Sequence, residues 1–207
     1  MKNLAILGAG GHGKVAADIA EQLGWNVHFF DLAYPEISHC GEWQVAGDES
    51  TLIKHARQYA AIFVAIGNND IRAKKFAEFK ALGFTITSLI SPYATLSDHI
   101  EIGEGVLIVA NACINIGTVI GDGVIINTGA NIDHDNNLGD FCHISPGVNL
   151  AGEVSVGERC WVGIGSSVIH QIHIANNVMV GAGAVIINDV PANVTLVGCP
   201  ARIVRQG

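Results

Sequence analysis

The stretch Ile90-Ser-Pro-Tyr-Ala-Thr, Leu96-Ser-Asp-His-Ile-Glu, Ile102-Gly-Glu-Gly-Val-Leu, Ile108-Val-Ala-Asn-Ala-Cys opens a series in which an aliphatic residue returns at every sixth position. The series continues through Ile114, Ile120, Ile126, Ile132, Leu138, Ile144, Leu150, Val156, Val162, Val168, Ile174 and Val180 to Ile186, which makes seventeen hexads without an exception. A fixed short period marks units that cannot bury their apolar side alone and must stack on their neighbours, the logic of a parallel β-helix. Four places after each aliphatic stand small or apolar residues such as Val106, Ala112, Val124, Ala130, Cys142 and Val148, so the interior takes a large and a small residue from each unit. Three places after it, Gly105, Gly117, Gly123, Gly129, Gly147, Gly165 and Gly183, with Asn111 and Asn177, mark corners that need positive φ. One hexad breaks the interior rule: Ile132-Asp133-His134-Asp135-Asn136-Asn137 puts the polar Asn136 in the small apolar place. A local violation of a consistent pattern tends to mark a functional or strained site.

Outward from the repeats, 207 residues with 49% apolar content suffice for two small domains, expected at 1–89 and 90–207. A net charge of −8 with eleven Lys and Arg argues against a nucleic-acid or anionic-membrane partner, so any anionic ligand must be held locally. The apolar run Leu4 to Leu7 is too short for a signal peptide, and no stretch approaches the roughly twenty apolar residues of a membrane span, so a cytoplasmic location is expected. Cys40, Cys113, Cys142, Cys160 and Cys199 form no CxxC pair, which indicates neither a zinc site nor a disulfide framework.

Residues 1–89 alternate strand and helix: a strand Leu4 to Leu7, a helix Lys14 to Leu23 with Val15, Ile19 and Leu23 on one face and Gly24 at its end, and a strand Asn26 to Phe30. A short helix capped by Asp48-Glu49-Ser50, a strand Ala61 to Ile66, a helix Ile71 to Leu82 and a strand Phe84 to Leu89 follow, which implies a small parallel α/β sheet of Rossmann-like kind. Ligands of such sheets sit outside the carboxyl ends of the strands, where this chain carries Gly8 to Gly13, Asp31 with Leu32, and Gly67, Asn68 and Asn69. Gly8-x-Gly10-x-x-Gly13 followed by Asp31 matches a dinucleotide fingerprint, but about ninety residues form only half of a two-mononucleotide domain, which favours a single nucleoside diphosphate over NAD. A P-loop is excluded because Val15 stands where a Ser or Thr must ligate magnesium. Asp31 is placed to accept from the ribose or base. His12, inside the glycine loop, either approaches the ligand or caps the first helix.

Together, Gly8-Ala-Gly-Gly-His12-Gly13, Ile66-Gly67-Asn68-Asn69-Asp70-Ile71-Arg72, and Asp133-His134-Asp135 followed by His143-Ile144-Ser145 resemble the NeuD-type sugar acetyltransferases, and the likeness covers essentially the whole chain. That resemblance implies a left-handed parallel β-helix with three hexads per coil, an N-terminal domain that binds a nucleotide sugar through Gly8, Gly10, Gly11, His12, Asp31, Leu32, Gly67, Asn68 and Asn69, and acetyl-CoA as cosubstrate without a metal. The expected activity is N-acetylation of the 4-amino group of a UDP-linked 4-amino-4,6-dideoxy sugar. O-acetylation of a sialic acid or other sugar, or a nucleotide-sugar-binding trimer without catalysis, are the alternatives. The resemblance also assigns His134 as general base, gives His143 contact with acetyl-CoA, and gives Ile164 and Ala182 backbone contacts with its pantetheine arm. Asp135 stands where the family more often carries Glu, and whether the shorter side chain reaches the imidazole is open.

With three hexads per coil, residues eighteen apart stack about 4.8 Å apart. Gly152 then lies one rung above His134, leaving its backbone N–H for the thioester oxygen. His143, nine residues after His134, is half a coil away, so the two serve one site only if they come from different subunits, and the resembling enzymes are trimers. His170 lies two rungs above His134, but Ala175 stands where the β-helical carbonic anhydrases place their third zinc histidine.

Overall fold

The computed structural model describes residues 2–206, in two compact units, one ending at Pro92 and one beginning at Tyr93. In the first unit, β1 (Lys2–Leu7) pairs in parallel with β2 (Trp25–Phe30) and with β5 (Ala61–Val64). β2 also pairs in parallel with β4 (Trp43–Gly47), which forms an antiparallel hairpin with β3 (His39–Cys40). The order β3-β4-β2-β1-β5 turns back at β1, so the crevice between the carboxyl ends of β1 and β5 is the topological switch point where ligands of such sheets bind. Helices α1 (Gly11–Gln22), α2 (Glu49–Lys54) and α3 (Asn69–Ala81) connect the strands. Asp48 caps α2 by accepting from the Thr51 N–H at 2.8 Å, as expected from the sequence.

Three expectations for this unit change. The packed face of α1 is Gly13, Ala16, Ala17, Ile19 and Ala20, while Val15 and Leu23 are exposed, because the helix lies close to the sheet and small residues permit that approach. The strand expected over 84–89 breaks up into one bridge, Ile86 to Ile62, and the start of a two-residue strand, Leu89–Ile90. The hairpin of β3 and β4 was not legible: five residues of mixed burial carry no clean alternation.

The second unit is the hexapeptide coil. Its two-residue strands stack into three faces. Face one runs Thr95–Leu96, Cys113–Ile114, Asn131–Ile132, Asn149–Leu150, Ser167–Val168, Val185–Ile186. Face two runs Glu101–Ile102, Val119–Ile120, Asn137–Leu138, Ser155–Val156, His173–Ile174. Face three includes Leu107–Ile108, Ile125–Ile126, His143–Ile144, Trp161–Val162 and Met179–Val180, then Val194–Val197 and the antiparallel Arg202–Gln206. Partners lie eighteen residues apart, as Cys113 with Asn131 and His143 with Trp161, until the last turn shortens and Met179 pairs with Thr195. Every hexad aliphatic from Ile108 to Ile186 is at most 3% exposed. Each such side chain contributes on the order of 1.5–3 kcal/mol of burial, so the coil is held by an apolar column one residue wide on each face.

Every sixth residue from Gly105 to Gly183 has positive φ. Five of those corners are neither Gly nor Asn: Asp135, Phe141, Glu153, Arg159 and Gln171. The stacked coil imposes the left-handed conformation there against an intrinsic cost of about 1–2 kcal/mol each. Among the described residues, no helix is long and apolar enough to cross a membrane.

Candidate active site

In the first unit the glycine loop leaves β1 with Gly8 at φ +106, and its N–H donates to the Phe30 carbonyl at 2.9 Å. The loop is drawn onto the end of β2 by Asp31, whose Oδ2 accepts from the Ala9 N–H at 2.7 Å while Oδ1 accepts from the Ala33 N–H at 2.9 Å. Asp31 therefore gives one lone pair of each oxygen to the protein's own backbone and acts first as an anchor. Gly10 and Gly11 open the first turn of α1 with nothing within 4 Å of where a Cβ would stand, and Gly67 is equally open. Gly13 is the reverse: a Cβ there would run into the Gly8 carbonyl oxygen and come to 2.9 Å from the Phe29 ring. Two glycines thus serve close backbone packing and two leave a helix N-terminus clear for an anion. Gly13→Ala is expected to destabilise by about 1–3 kcal/mol, because the clash with a backbone carbonyl exceeds the helix-propensity gain of about 1 kcal/mol. Thermal unfolding reads the difference, and a variant as stable as the parent would contradict this packing.

The third loop is built by Arg72, 1% exposed. Its Nη1 donates to the carbonyls of Ile66 (2.9 Å) and Gly67 (3.1 Å), and its Nη2 donates to Asn69 Oδ1 at 2.9 Å. Asn68 caps α3, accepting from the Ile71 N–H at 3.0 Å. His12 sits in the first turn of α1, but the Gly10 cap receives no side-chain hydrogen bond, so His12 is not a helix cap. Burial, with the Arg72 guanidinium nearby, lowers its pKa to about 4, so the ring is neutral at physiological pH. Leu32, which follows β2 and Asp31, is largely exposed.

In the second unit His134 lies at the corner between Asn131–Ile132 and Asn137–Leu138, with its ring half exposed. The shorter carboxylate does reach: His134 Nδ1 is 2.8 Å from Asp135 Oδ2. A carboxylate beside Nδ1 assigns the proton to that nitrogen and leaves Nε2 with the lone pair. Hydrogen bonding to Asp135, reinforced by the charges of Asp133, Asp135 and Glu153, raises the His134 pKa above its ordinary 6.5. Nε2 faces Gly152, where an added Cβ would be 2.5 Å away, and Gly152 is buried. The backbone N–H groups of Gly152, Ile164 and Ala182 have no hydrogen-bond partner among the described residues. The His134 N–H donates to Asp133 Oδ1 (2.9 Å), which also accepts from Asn115 Nδ2 one coil below (3.0 Å), and these bonds hold the Asp133 carboxyl below its usual range.

His143 is on face three, 6% exposed, with its ring 4.3 Å from that of Trp161 and Nε2 3.2 Å from Asn127 Nδ2. Ile164 and Ala182 stack at the corner between faces three and one. One chain therefore separates the expected residues into two groups: His134, Asp135 and Gly152 on one edge, and His143, Ile164 and Ala182 on the opposite face and its trailing edge. Asn127 and Trp161, which no sequence motif singles out, are the neighbours of His143, and the eighteen-residue register puts Trp161 on the next rung. Among the described residues, no group of three His, Cys, Asp or Glu side chains is arranged to hold a metal ion.

Residues 3–79 match the family model described as the PglD N-terminal domain. The structure superposes on PerB from Caulobacter crescentus, solved in complex with CoA and GDP-perosamine, with a TM-score of 0.93 and 38% identity over 98% of this chain and 97% of that one. It superposes equally on the acetyltransferase domain of PglB from Neisseria gonorrhoeae FA1090 in complex with acetyl coenzyme A, with a TM-score of 0.93 and 39% identity over 98% and 99%. A UDP-N-acetylbacillosamine N-acetyltransferase of Bacillus subtilis (strain 168) is 39% identical over 114 residues, 53% of this chain and 52% of that protein. The matched stretch thus spans about half the length of that curated relative.

Proposed function

Since the chain belongs to the NeuD/PglD-type family of sugar acetyltransferases, we propose that it transfers the acetyl group of acetyl-CoA to the 4-amino group of a UDP-linked 4-amino-4,6-dideoxy sugar. The observation that carries this reading is the His134–Asp135 pair at 2.8 Å with its free Nε2 turned under the side-chain-less Gly152. Transfer from a thioester to an amine needs a deprotonated amine, a fixed approach to the carbonyl and a donor for the developing oxyanion. His134 Nε2 takes a proton from the amine as the nitrogen forms its bond to the thioester carbon. The Gly152 N–H donates to the carbonyl oxygen as it becomes an oxyanion. The tetrahedral adduct then collapses, the carbon–sulfur bond breaks, and the proton on His134 leaves with the CoA thiolate, so the enzyme returns to its starting state.

The nucleotide half of the substrate is assigned to the crevice between β1 and β5, with the diphosphate at Gly10 and Gly11 on the N-terminus of α1, Gly8, Gly67, Asn68 and Asn69 shaping the walls, and Leu32 beside the base. His12, neutral and inside the glycine loop, is assigned to the nucleotide sugar on this unit. Asp31 contributes through the loop it anchors and through the lone pairs it retains. A UDP carrier is favoured by the likeness to a UDP-N-acetylbacillosamine N-acetyltransferase. His143, Ile164 and Ala182 are assigned to acetyl-CoA on a neighbouring copy in a homotrimer, because one chain holds them on the opposite side from His134.

The test is thiol release from acetyl-CoA against UDP-, dTDP- and GDP-linked 4-amino-4,6-dideoxy sugars and free sialic acid. Preferential turnover of a UDP-linked amino sugar is expected. Release with sialic acid alone would replace N-acetylation by O-acetylation, and release with none would remove the activity.

The pH profile provides a separate check. A base acts only when neutral, and Asp135 favours the imidazolium, so kcat/KM rises with pH through a limb lying above 6.5. In Asp135→Asn that limb moves to lower pH while the maximal rate falls, because the imidazole becomes both less protonated and less basic. A limb that does not move would show that another group controls the titration.

A further inference from the structure

Four interior side chains of the coil are hydrogen-bond donors with one task in common. Thr118 Oγ1 donates to the Asp133 carbonyl (3.1 Å), Asn136 Nδ2 to that of Ala151 (3.0 Å), Cys160 Sγ to that of Ala175 (3.0 Å) and Ser166 Oγ to that of Gly181 (3.0 Å). Each reaches fifteen residues ahead, to an inward-turned carbonyl of the next coil. A single O–H or S–H serves one such carbonyl. Asn136 does more: its Nδ2 is also 2.7 Å from the Asp133 carbonyl and 3.3 Å from the His134 carbonyl, in its own turn. Thr118 approaches that same Asp133 carbonyl from the coil below.

The fold does not require an amide here. The same interior column continues upward as Val154 and Ile172, both buried, and Asn136 itself is 1% exposed with Oδ1 lacking a hydrogen-bond partner. An apolar residue would avoid that buried acceptor. The polar side chain therefore sits directly behind the one corner that carries His134, bonded to the two peptide groups on either side of that residue's Cα. We infer that Asn136 is a positioning residue: from inside the prism it fixes the Asp133–His134 turn so that the imidazole is held between Asp135 and Gly152. This inference rests on His134 being the base.

Asn136→Ser separates the two tasks, since a hydroxyl can still serve Ala151, as Ser166 serves Gly181, but cannot also clamp its own turn. The variant is expected to unfold thermally close to the parent, to lose kcat roughly 10²-fold with KM for acetyl-CoA unchanged, and to show the His134 imidazole, followed by NMR without substrate, titrating nearer the ordinary histidine value than in the parent. Asn136→Val is expected to show the same two losses. If both variants keep the parent's kcat and His134 titration, or if neither folds, Asn136 is a structural coil-to-coil donor and the inference is overturned. The base assignment fails separately: parental turnover in His134→Ala with a shifted titration in Asn136→Ser would remove the base and leave the positioning intact.

Discussion

His134→Ala is expected to fold like the parent and to lose about 10²–10⁴ in kcat, the range carried by a positioned general base. The ring is half exposed at a corner and fills no part of the interior, so removing it takes away chemistry and little packing. The effect is large because the attacking nitrogen must give up a proton as it bonds to the thioester carbon, and Nε2 is the lone pair the corner directs beneath Gly152. His134→Asn keeps a polar side chain without a base and should be as slow. Steady-state thiol release with the preferred amino sugar measures both, and parental turnover in either would remove the mechanism.

Gly152→Ala should approach that effect without touching an ionisable group. Its φ lies outside the left-handed region, so the backbone accepts alanine, but the new Cβ would stand 2.5 Å from His134 Nε2 and 2.6 Å from Cε1. The ring is the movable partner and must swing off Asp135. A loss of about 10²-fold in kcat is expected, the scale of a reacting group displaced by about an ångström. The chain should fold normally and the His134 titration should fall toward its ordinary value. Full activity in Gly152→Ala would mean that the space above the ring has no part in the reaction.

The coil was legible because its period is a packing rule: a residue buried every sixth place fixes the strand, and the coil length implied by the family fixes which residues stack. The same rule places Gly152 over His134. It could not show the left-handed corners at Phe141 or Arg159, since nothing in those side chains prefers positive φ and only the stacked neighbours enforce it. In the first unit the glycine loop was readable as a ligand loop, but its anchors were not. The position of Asp31 after a strand points to a ligand but not to its bonds with the Ala9 and Ala33 N–H groups, and the motif containing Arg72 does not reveal that its guanidinium holds three oxygens of the third loop. Long-range bonds of this kind have no period. The face of α1 was misassigned for a related reason: the larger residues Val15 and Leu23 attract attention, while close packing selected Ala16, Ala17 and Ala20. Asn136 is legible as an irregularity of the repeat, but the bonds of its amide to the Asp133 and Ala151 carbonyls are not.

In the proposed trimer each active site takes His134 from one copy and His143 from another. Subunit complementation tests it most directly. His134→Ala and His143→Ala proteins, each expected to be slow alone for want of the base or of the acetyl-CoA contact, are unfolded together in equal amounts, refolded and assayed for thiol release. Random trimers should regain about one quarter of the parental rate, because one interface in four pairs an intact His134 with an intact His143. A mixture no more active than its two components would contradict a site shared between subunits.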